Sequence, residues 1–294
     1  MKTILLSIAG FGVRICVGNE FPAFALPASF APFTVSDDGG SDVLFTLHIE
    51  VGEAPSLDAL TPVATGINDL GEARLFEIST GYAVALSLFP GAGFRVMTMN
   101  GTFTTARLFL APGDPYAAYA ADSMLRIMFS QAIVGRRGFL LHASAIEAAG
   151  RAVLFMGRSG TGKSTHSSLW QAAFTDVTLI NDDDPVVRVM PDGTVRAYGS
   201  PWSGKTPCYR QHSAPVSAFV RLCQAPADVF TPLADVEAFI AILPGVSVIS
   251  CNRRLYDTVC STVIEAASVT TVATLDCLPH TDAARLCRRN TLGD

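Results

Sequence analysis

The most informative segment of the 294-residue sequence is Gly157-Arg158-Ser159-Gly160-Thr161-Gly162-Lys163-Ser164. It fits the pattern G-x-x-x-x-G-K-[ST] at every fixed position. In this pattern the glycines let the backbone wrap around phosphate groups, so that several N–H groups point inward at the N-terminus of a helix. The apolar run 152–156 precedes the segment and an amphipathic stretch, 164–174, follows it. We therefore expect a strand, a phosphate-binding loop and a helix, in an α/β domain.

The residue types in this loop predict specific contacts with a nucleotide. Lys163 is expected to reach the β- and γ-phosphates, and the Ser164 hydroxyl to join the Mg²⁺ shell. The predicted ligands are ATP and Mg²⁺, with Mn²⁺ as the alternative metal. The candidate nucleotide-binding residues are Gly157, Ser159, Gly160, Thr161, Gly162, Lys163, Ser164 and Thr165.

An acidic cluster forms the second part of the candidate site. The apolar run 177–180 ends in Asn181-Asp182-Asp183-Asp184, and Asp182 and Asp183 follow Lys163 by 19 and 20 residues. A carboxylate at a strand end can hold Mg²⁺ or orient its water in phosphoryl transfer. This separation is shorter than in ordinary phosphate-loop enzymes, where another strand and helix intervene. The alternative is an acidic surface turn before Pro185, with Asp184 facing solvent.

The third part is Leu141-His142-Ala143-Ser144-Ala145, upstream of the loop. Together, the His-Ala-Ser-Ala segment, the glycine-rich segment and Leu-Ile-Asn-Asp-Asp resemble the catalytic core shared by HPr kinase/phosphorylase and phosphoenolpyruvate carboxykinase. The resemblance covers roughly residues 113–294 and is strongest over 139–184. It implies an α/β fold of that superfamily.

The resemblance also implies roles for individual residues. Lys163 would bind phosphates, and Ser164 with Asp182 would contact the metal. Asp183 is similar to the carboxylate that takes the proton from the accepting Ser hydroxyl in the kinase. For His142 three functional roles stay open, as metal ligand, charge-stabilising neighbour or acid/base, beside a purely structural one.

The chain is more similar to the kinase branch than to the carboxykinase. Carboxykinases are much longer and need upstream Arg and Lys residues, whereas residues 1–112 hold few cations and no substrate motif. The characteristic front domain and C-terminal signature of true HPr kinases are also not visible, so HPr itself is a doubtful substrate. The expected function is an ATP/Mg-dependent phosphotransferase that phosphorylates a Ser on a protein or peptide. The alternatives are a non-catalytic nucleotide-binding regulatory or scaffold module, and a small-molecule kinase or short carboxykinase-like enzyme.

Composition restricts the class of protein. Hydrophobic residues make up 49% of the chain and charged residues 16%, which excludes wholesale disorder. The net charge of −5 argues against a nucleic-acid binder, and no apolar run approaches the roughly 20 residues that span a bilayer. Seven scattered cysteines without a CxxC pair are typical of reduced cytosolic thiols, so we expect a cytoplasmic protein. The alternative is a cleaved signal peptide, which the N-terminal segment superficially resembles.

The first part of the chain predicts a different architecture. Residues 1–112 contain short apolar or alternating runs separated by turn signals, which predicts a small antiparallel β domain. Asn100-Gly101 between two runs predicts a hairpin with a type I′ turn. The segment 111–115 is the expected boundary, giving a β-rich domain at 1–112 and an α/β domain at 113–294. The spacing of apolar residues predicts a helix over 116–136, in the second domain.

Four residues outside the core motifs are weaker candidates. Trp202 and Lys205 lie in a glycine- and proline-rich loop, 199–207, where they could meet an acceptor and the transferred phosphate. Trp202 could equally be a packed residue in a buried turn. Arg253 and Arg254 could touch phosphate or be exposed arginines at a helix start. The oligomeric state is open, and the resemblance makes a homo-oligomer plausible.

Overall fold

The computed structural model describes residues 2–37, 42–68, 71–204 and 206–293. The chain divides into two units, Met1–Ala132 and Ile133–Asp294. Within the described residues, the strands form two mixed sheets, one in each unit. The fold is therefore of the mixed α/β kind.

In the described part of the first unit, the strands form a single sheet and there is one α-helix. The sheet has the strand order β3-β1-β2-β4-β9-β8-β7-β6-β5. Its elements are β1 (Lys2–Ile8), β2 (Phe11–Val17), β3 (Thr34–Val35), β4 (Val43–Glu50), β5 (Ala64–Asn68), β6 (Gly71–Ile78), β7 (Gly81–Ser87), β8 (Arg95–Asn100), β9 (Thr105–Phe109) and α1 (Ala117–Ala132).

This sheet is not purely antiparallel, which corrects the expectation from the sequence. β4 runs parallel to both of its neighbours, β2 and β9. The connection from β2 to β4 is long enough to cross over, and it contains a short 3₁₀ segment, Ala28–Phe33. The long connection thus permits a parallel pair where hairpin signals suggested only antiparallel ones.

The hairpin at Asn100 exists, but its turn differs from the predicted type. β8 and β9 pair antiparallel, and the residue with positive φ is Phe103, not Asn100 or Gly101. The Asn100 side chain instead accepts hydrogen bonds from the backbone N–H of Thr104 and Thr105, at 2.9 and 3.1 Å. Its side chain therefore orders a longer loop.

Helix α1 belongs to the first unit, although the sequence assigned it to the second. Its apolar face is buried, and Phe129 packs edge-on against Phe11 of β2, with ring centroids 6.4 Å apart. Just before the helix, Asp114 accepts two hydrogen bonds of 2.9 Å from the Arg95 guanidinium. These contacts attach residues 113–132 to the first sheet, so the units divide 20 residues after the predicted boundary at 112.

The second unit is a sheet with helices on both faces. Its elements are β10 (Gly138–Leu140), β11 (Ala143–Ala148), β12 (Arg151–Met156), α2 (Lys163–Ala173), β13 (Thr178–Asp183), β14 (Val186–Val189), β15 (Val195–Tyr198), β16 (Ser213–Gln224), β17 (Val229–Leu233), α3 (Asp235–Ile242), α4 (Arg253–Ser268), β18 (Thr271–Cys277) and α5 (Thr281–Thr291).

The long strand β16 joins the two parts of this sheet. Its first residues pair with β15, and its later residues run parallel to β12 on one side and β18 on the other. The resulting strand order is β10-β14-β15-β16-β12-β11-β13. In addition, β18 pairs with β16, and β17 pairs with β18.

Each face of the sheet has its own apolar core. On one face Phe155 and Val153 pack with Trp170 of α2 and with Ala284 and Cys287 of α5. On the other face the sheet packs against α3 and α4. Alternate residues of β11, β12 and β13 thus point into different layers.

Candidate functional site

Strand register brings the three sequence motifs to one edge of the second sheet. β11 lies between β12 and β13 and is antiparallel to both. Ala143, at the start of β11, is paired with Met156 on one side and with Asp183 on the other. The residue before β11, the loop after β12 and the acidic end of β13 therefore meet.

The same topology explains the short spacing between Lys163 and the acidic residues. The strand between β12 and β13 is β11, which precedes both of them in the chain. A tight turn at Ala149 and Gly150, with φ of 50° and 71°, links β11 to β12. The chain therefore leaves α2 and enters β13 directly, with no intervening strand.

The glycine loop, residues 157–164, needs glycine at three positions. Gly157, Gly160 and Gly162 have φ of 153°, 79° and 108°, which L side chains rarely adopt. A Cβ at Gly157 would also lie 3.1 Å from Thr161 Cβ. Thr161 closes the loop by donating from its hydroxyl to the Arg158 carbonyl at 2.7 Å. The backbone thereby adopts a tight turn directly before α2.

The N-terminus of α2 is where the remaining candidates of the loop lie. Gly162 is the N-cap, and no side chain caps the first turn among the described residues. Lys163, Ser164 and Thr165 form that turn, and Ser159 is exposed at the tip of the loop. Uncapped N–H groups at a helix N-terminus favour anions, including phosphate.

Lys163, His142 and Asp183 form a continuous chain of polar contacts. Lys163 Nζ lies 2.9 Å from His142 Nε2 and donates to the Gly157 carbonyl at 3.1 Å. His142 Nδ1 lies 3.0 Å from Asp183 Oδ1. A neutral imidazole with its hydrogen on Nδ1 satisfies both partners, since it donates to Asp183 and accepts from the ammonium of Lys163.

Burial and the nearby carboxylates have opposite effects on the pKa of Lys163. Desolvation by burial lowers the pKa of Lys163, and the negative charges of Asp183, Asp182 and Asp184 oppose that effect. Burial has the larger effect, and the three carboxylates offset only part of the cost of burying the positive charge.

Asp182 is buried beside this chain, on the face of the sheet that α2 covers. It is 4% exposed and is the cross-strand partner of Ser144, whose hydroxyl lies 2.6 Å from that of Ser167 in α2. Among the described residues, neither carboxylate oxygen of Asp182 has a hydrogen-bond partner. A buried carboxylate without partners is costly unless a cation or a donor completes it.

Asn181 is a residue whose role the sequence did not reveal. Its side chain is fully buried, and its Oδ1 accepts from the backbone N–H of Asp183 and Asp184, at 3.0 and 2.9 Å. Its Nδ2 donates to the Ser200 hydroxyl at 3.1 Å and to the Trp202 carbonyl at 3.0 Å. One amide thus fixes both the acidic strand end and the loop beside it.

The loop 199–204 packs closely on the acidic strand end. Gly204 donates its backbone N–H to the Asp182 carbonyl at 3.1 Å, and a Cβ there would lie 2.8 Å from that oxygen. Trp202 is 6% exposed, in agreement with the packed-residue alternative. Lys205, the other candidate of this loop, lies outside the described residues.

The backbone around His142 is held by the segment that follows helix α3. The His142 N–H donates to the Gly245 carbonyl at 2.8 Å, and Leu141 forms a β-bridge with Val246. Ser247 also donates its backbone N–H to the Leu140 carbonyl at 3.1 Å. This segment follows helix α3, which the sequence did not predict. These backbone contacts fix the position of the His142 main chain, from which the imidazole extends.

Arg253 and Arg254 are not joined to this chain of contacts. They begin α4, whose N-cap Asn252 accepts from the Leu255 N–H at 3.0 Å. The Arg253 side chain is 95% exposed and lies 3.8 Å from Asp257. The exposed-arginine alternative fits its surroundings.

His166 and Trp170 fill the layer between α2 and the sheet. The Trp170 indole donates to His166 Nε2 at 3.2 Å, and the imidazole packs edge-on against Phe155, with centroids 4.6 Å apart. Burial lowers the pKa of His166 to about 4, so its imidazole is neutral at pH 7.

Two kinds of feature are absent from the residues that the structure describes. No group of three or more His, Cys, Asp or Glu side chains is arranged to hold a metal. No helix there is both long and apolar enough to cross a membrane.

Another cavity lies in the first unit. It has a volume of about 1030 Å³ and is lined partly by Asp58, Glu72 and Arg74. Arg74 pairs with Glu72 at 2.6 Å and covers the Phe94 ring at 4.5 Å. The polar chain around His142 is thus the better candidate for chemistry.

Comparison with known proteins gives limited matches. Residues 119–262 match the family described as SynChlorMet cassette protein ScmC. The solved structure of the Hpr(Ser) kinase/phosphatase from Coxiella burnetii matches with 11% identity and a TM-score of 0.30, over 52% of this chain and 93% of that one. No curated protein matches the sequence.

Proposed function

We propose that the protein is an ATP- and Mg²⁺-dependent phosphotransferase that transfers the γ-phosphoryl group to a Ser hydroxyl of a protein or peptide. The observation that carries this proposal is the polar chain Lys163–His142–Asp183 beside the glycine loop. Phosphoryl transfer to a hydroxyl uses a cation for phosphate and a carboxylate for the acceptor proton, and here the histidine between them would orient the carboxylate.

The glycine loop would hold the phosphates of ATP. The uncapped first turn of α2 supplies N–H donors, and Lys163 supplies the positive charge. Its contact with the Gly157 carbonyl keeps the ammonium over the loop. Positioning and electrostatic stabilisation account for most of the catalysis in phosphoryl transfer.

The residues present also fit a divalent cation. Asp182 offers two buried oxygens that lack partners among the described residues, and Ser164 offers a hydroxyl in the first turn of α2. Mg²⁺ commonly takes one or two protein ligands and completes its shell with phosphate oxygens and water. When bound, the ion would neutralise charge on the β- and γ-phosphates.

Asp183 would act as the base toward the acceptor. The hydroxyl proton passes to its carboxylate as the hydroxyl oxygen forms a bond to the γ-phosphorus. The bond from that phosphorus to the bridging oxygen breaks, and ADP leaves. His142 orients the carboxylate through Nδ1 and links it to Lys163 through Nε2.

The exposure of the site supports an acceptor that arrives from outside. The side chains of His142 and Asp183 are 41% and 29% exposed, whereas Asp182 is buried. The base is thus reachable, and the metal-binding carboxylate is shielded from solvent. A serine hydroxyl of an external acceptor could therefore reach Asp183 from solvent.

A labelling experiment tests the proposal. The full-length protein would be incubated with γ-³²P-ATP, Mg²⁺ and lysate from its own source, beside the Lys163→Ala variant. We expect labelled phosphoserine on an acceptor with the wild type only. Nucleotide binding without any labelled acceptor would instead support the regulatory or scaffold alternative, and label on a small molecule would support a small-molecule kinase.

A further inference from the structure

A second cavity adjoins the glycine loop, and among the described residues its lining does not include Lys163, His142 or Asp183. It has a volume of about 600 Å³ and shares the loop residues Gly160, Thr161 and Gly162 with the candidate phosphate site. Its opposite wall is formed by the carboxyl ends of β16 and β18 and the residues that follow them. Ligands of α/β sheets commonly bind outside the carboxyl ends of strands.

The walls of this cavity are mostly apolar. Leu169 of α2, Leu222 of β16 and Leu278 after β18 face it, together with Pro226 and Pro279. The Asp228 carboxylate accepts from the Leu278 N–H at 3.1 Å and so fixes one rim of the cavity. Apolar walls with few polar groups and a volume of about 300–1,000 Å³ are typical of small-molecule sites.

His166 supplies a side-chain donor to a cavity lining that also includes Thr161, Thr165 and Gln224. His166 is 2% exposed, and its Nε2 accepts from the Trp170 indole at 3.2 Å. The ring hydrogen must therefore be on Nδ1, for which the structure shows no partner among the described residues. A donor in a largely apolar lining can fix the orientation of a ligand by donating to an acceptor on it.

We propose that this cavity binds the nucleoside of the nucleotide, with the His166 Nδ1–H donating to an acceptor on the base. The inference rests on the proposed function, because it requires phosphates on the glycine loop. The phosphates would then extend toward Lys163, and the base would lie between Leu169, Leu222 and Leu278. His166 would thus be a specificity-determining residue, distinct from the groups that handle phosphate.

The test distinguishes binding of the nucleoside from binding of the phosphates. Binding of Mg·ATP and of Mg·tripolyphosphate, which lacks a nucleoside, would be measured by calorimetry on the full chain. In the wild type we expect Mg·ATP to bind at least about tenfold more tightly. His166→Phe keeps an aromatic ring but removes the donor, together with the acceptor of the Trp170 indole N–H. It should weaken Mg·ATP binding about 3- to 10-fold without affecting tripolyphosphate.

A rim variant keeps the test decisive if His166→Phe does not fold. Leu278 is 42% exposed, so Leu278→Ser should fold and should weaken Mg·ATP alone by a similar factor. Leu60→Ser, at a leucine 40% exposed in the first unit, is the matched control and should bind both ligands normally.

Each other outcome has a definite meaning. Equal affinity for both ligands in the wild type, or equal loss for both in the Leu278→Ser variant, would overturn the nucleoside site while leaving the phosphate site intact. Failure of the wild type to bind either ligand would overturn both this inference and the proposed function.

Discussion

His142 Nδ1 lies 3.0 Å from Asp183 Oδ1, although 40 residues of sequence separate the two side chains. The contact exists because β11 and β13 pair antiparallel with Ala143 opposite Asp183, so that the residue before β11 reaches the end of β13. The imidazole then lies between the carboxylate and Lys163. Orientation of the base by a second group is a common feature of acid–base sites.

The first prediction concerns this contact. His142→Ala should reduce phosphoryl transfer about 100-fold, because Asp183 loses the group that orients it. His142→Asn, whose amide can still donate near the Nδ1 position, should recover part of that loss. Transfer rates and Mg·ATP dissociation constants, measured for both variants, check the prediction. Equal rates for Ala and Asn would contradict an orienting role.

The second prediction concerns the buried carboxylate of Asp182. Asp182→Asn removes a charge that lacks a hydrogen-bond partner among the described residues, so the metal-free protein should be as stable as the wild type or more so. The stabilisation by Mg·ATP, about 2.7 kcal/mol at 100 times Kd for the wild type, should largely disappear. Thermal unfolding with and without Mg·ATP measures both effects. Undiminished stabilisation of the variant by Mg·ATP would exclude the carboxylate as a metal ligand.

The third prediction concerns the buried amide of Asn181. Asn181→Ala leaves the N–H groups of Asp183 and Asp184 without their acceptor and should cost about 3 kcal/mol of folding free energy. Asn181→Asp keeps an acceptor for those groups but places a carboxylate against the Trp202 carbonyl, so it should also destabilise the protein. Urea denaturation gives both values. A loss below about 1 kcal/mol for both variants would show that the amide is dispensable.

The fourth prediction concerns acid stability in the first unit. Hydrogen bonds from Arg95 hold the pKa of Asp114 below its usual value, and this effect exceeds the opposing effect of burial. Because the folded pKa is the lower one, the stabilisation is complete above the unfolded pKa near 4 and is lost as the pH falls through the folded pKa. Asp114→Asn should remove that pH dependence and cost about 3 kcal/mol near neutral pH.

Hydrogen exchange of residues 95–116, recorded between pH 3 and 7 and corrected for the intrinsic pH dependence of exchange, measures this local stability. The wild type should lose protection at the acidic end of the range, and Asp114→Asn should be less protected than the wild type at neutral pH. A parallel loss of protection on acidification in both proteins would mean that another group is responsible.

Local sequence patterns were sufficient to predict the strand, loop and helix around Lys163. A glycine loop, an apolar run and an amphipathic helix are each encoded within a few residues, and α2 begins within one residue of its predicted start. The acidic end of β13 could likewise be predicted as a strand end, although the strand itself extends through Asp183.

Long-range features could not be predicted in this way. The position of β11 between β12 and β13, and the parallel pairing of β4, depend on partners far apart in sequence. Helix α3 was missed because its sequence, DVEAFIAI, is short and apolar without a clear helical period. The role of Asn181 depends on the loop 199–202, which only the folded chain brings near.

The most direct test of the proposed phosphotransferase is the Asp183→Asn variant in the labelling reaction. It should bind Mg·ATP within about threefold of the wild-type affinity, because phosphate binding depends on Lys163 and the glycine loop, and should transfer label to serine at least about 100-fold more slowly. Asp257→Asn, at a carboxylate that is 68% exposed in α4, serves as the matched control and should transfer label normally. Transfer by Asp183→Asn at the wild-type rate would contradict the account.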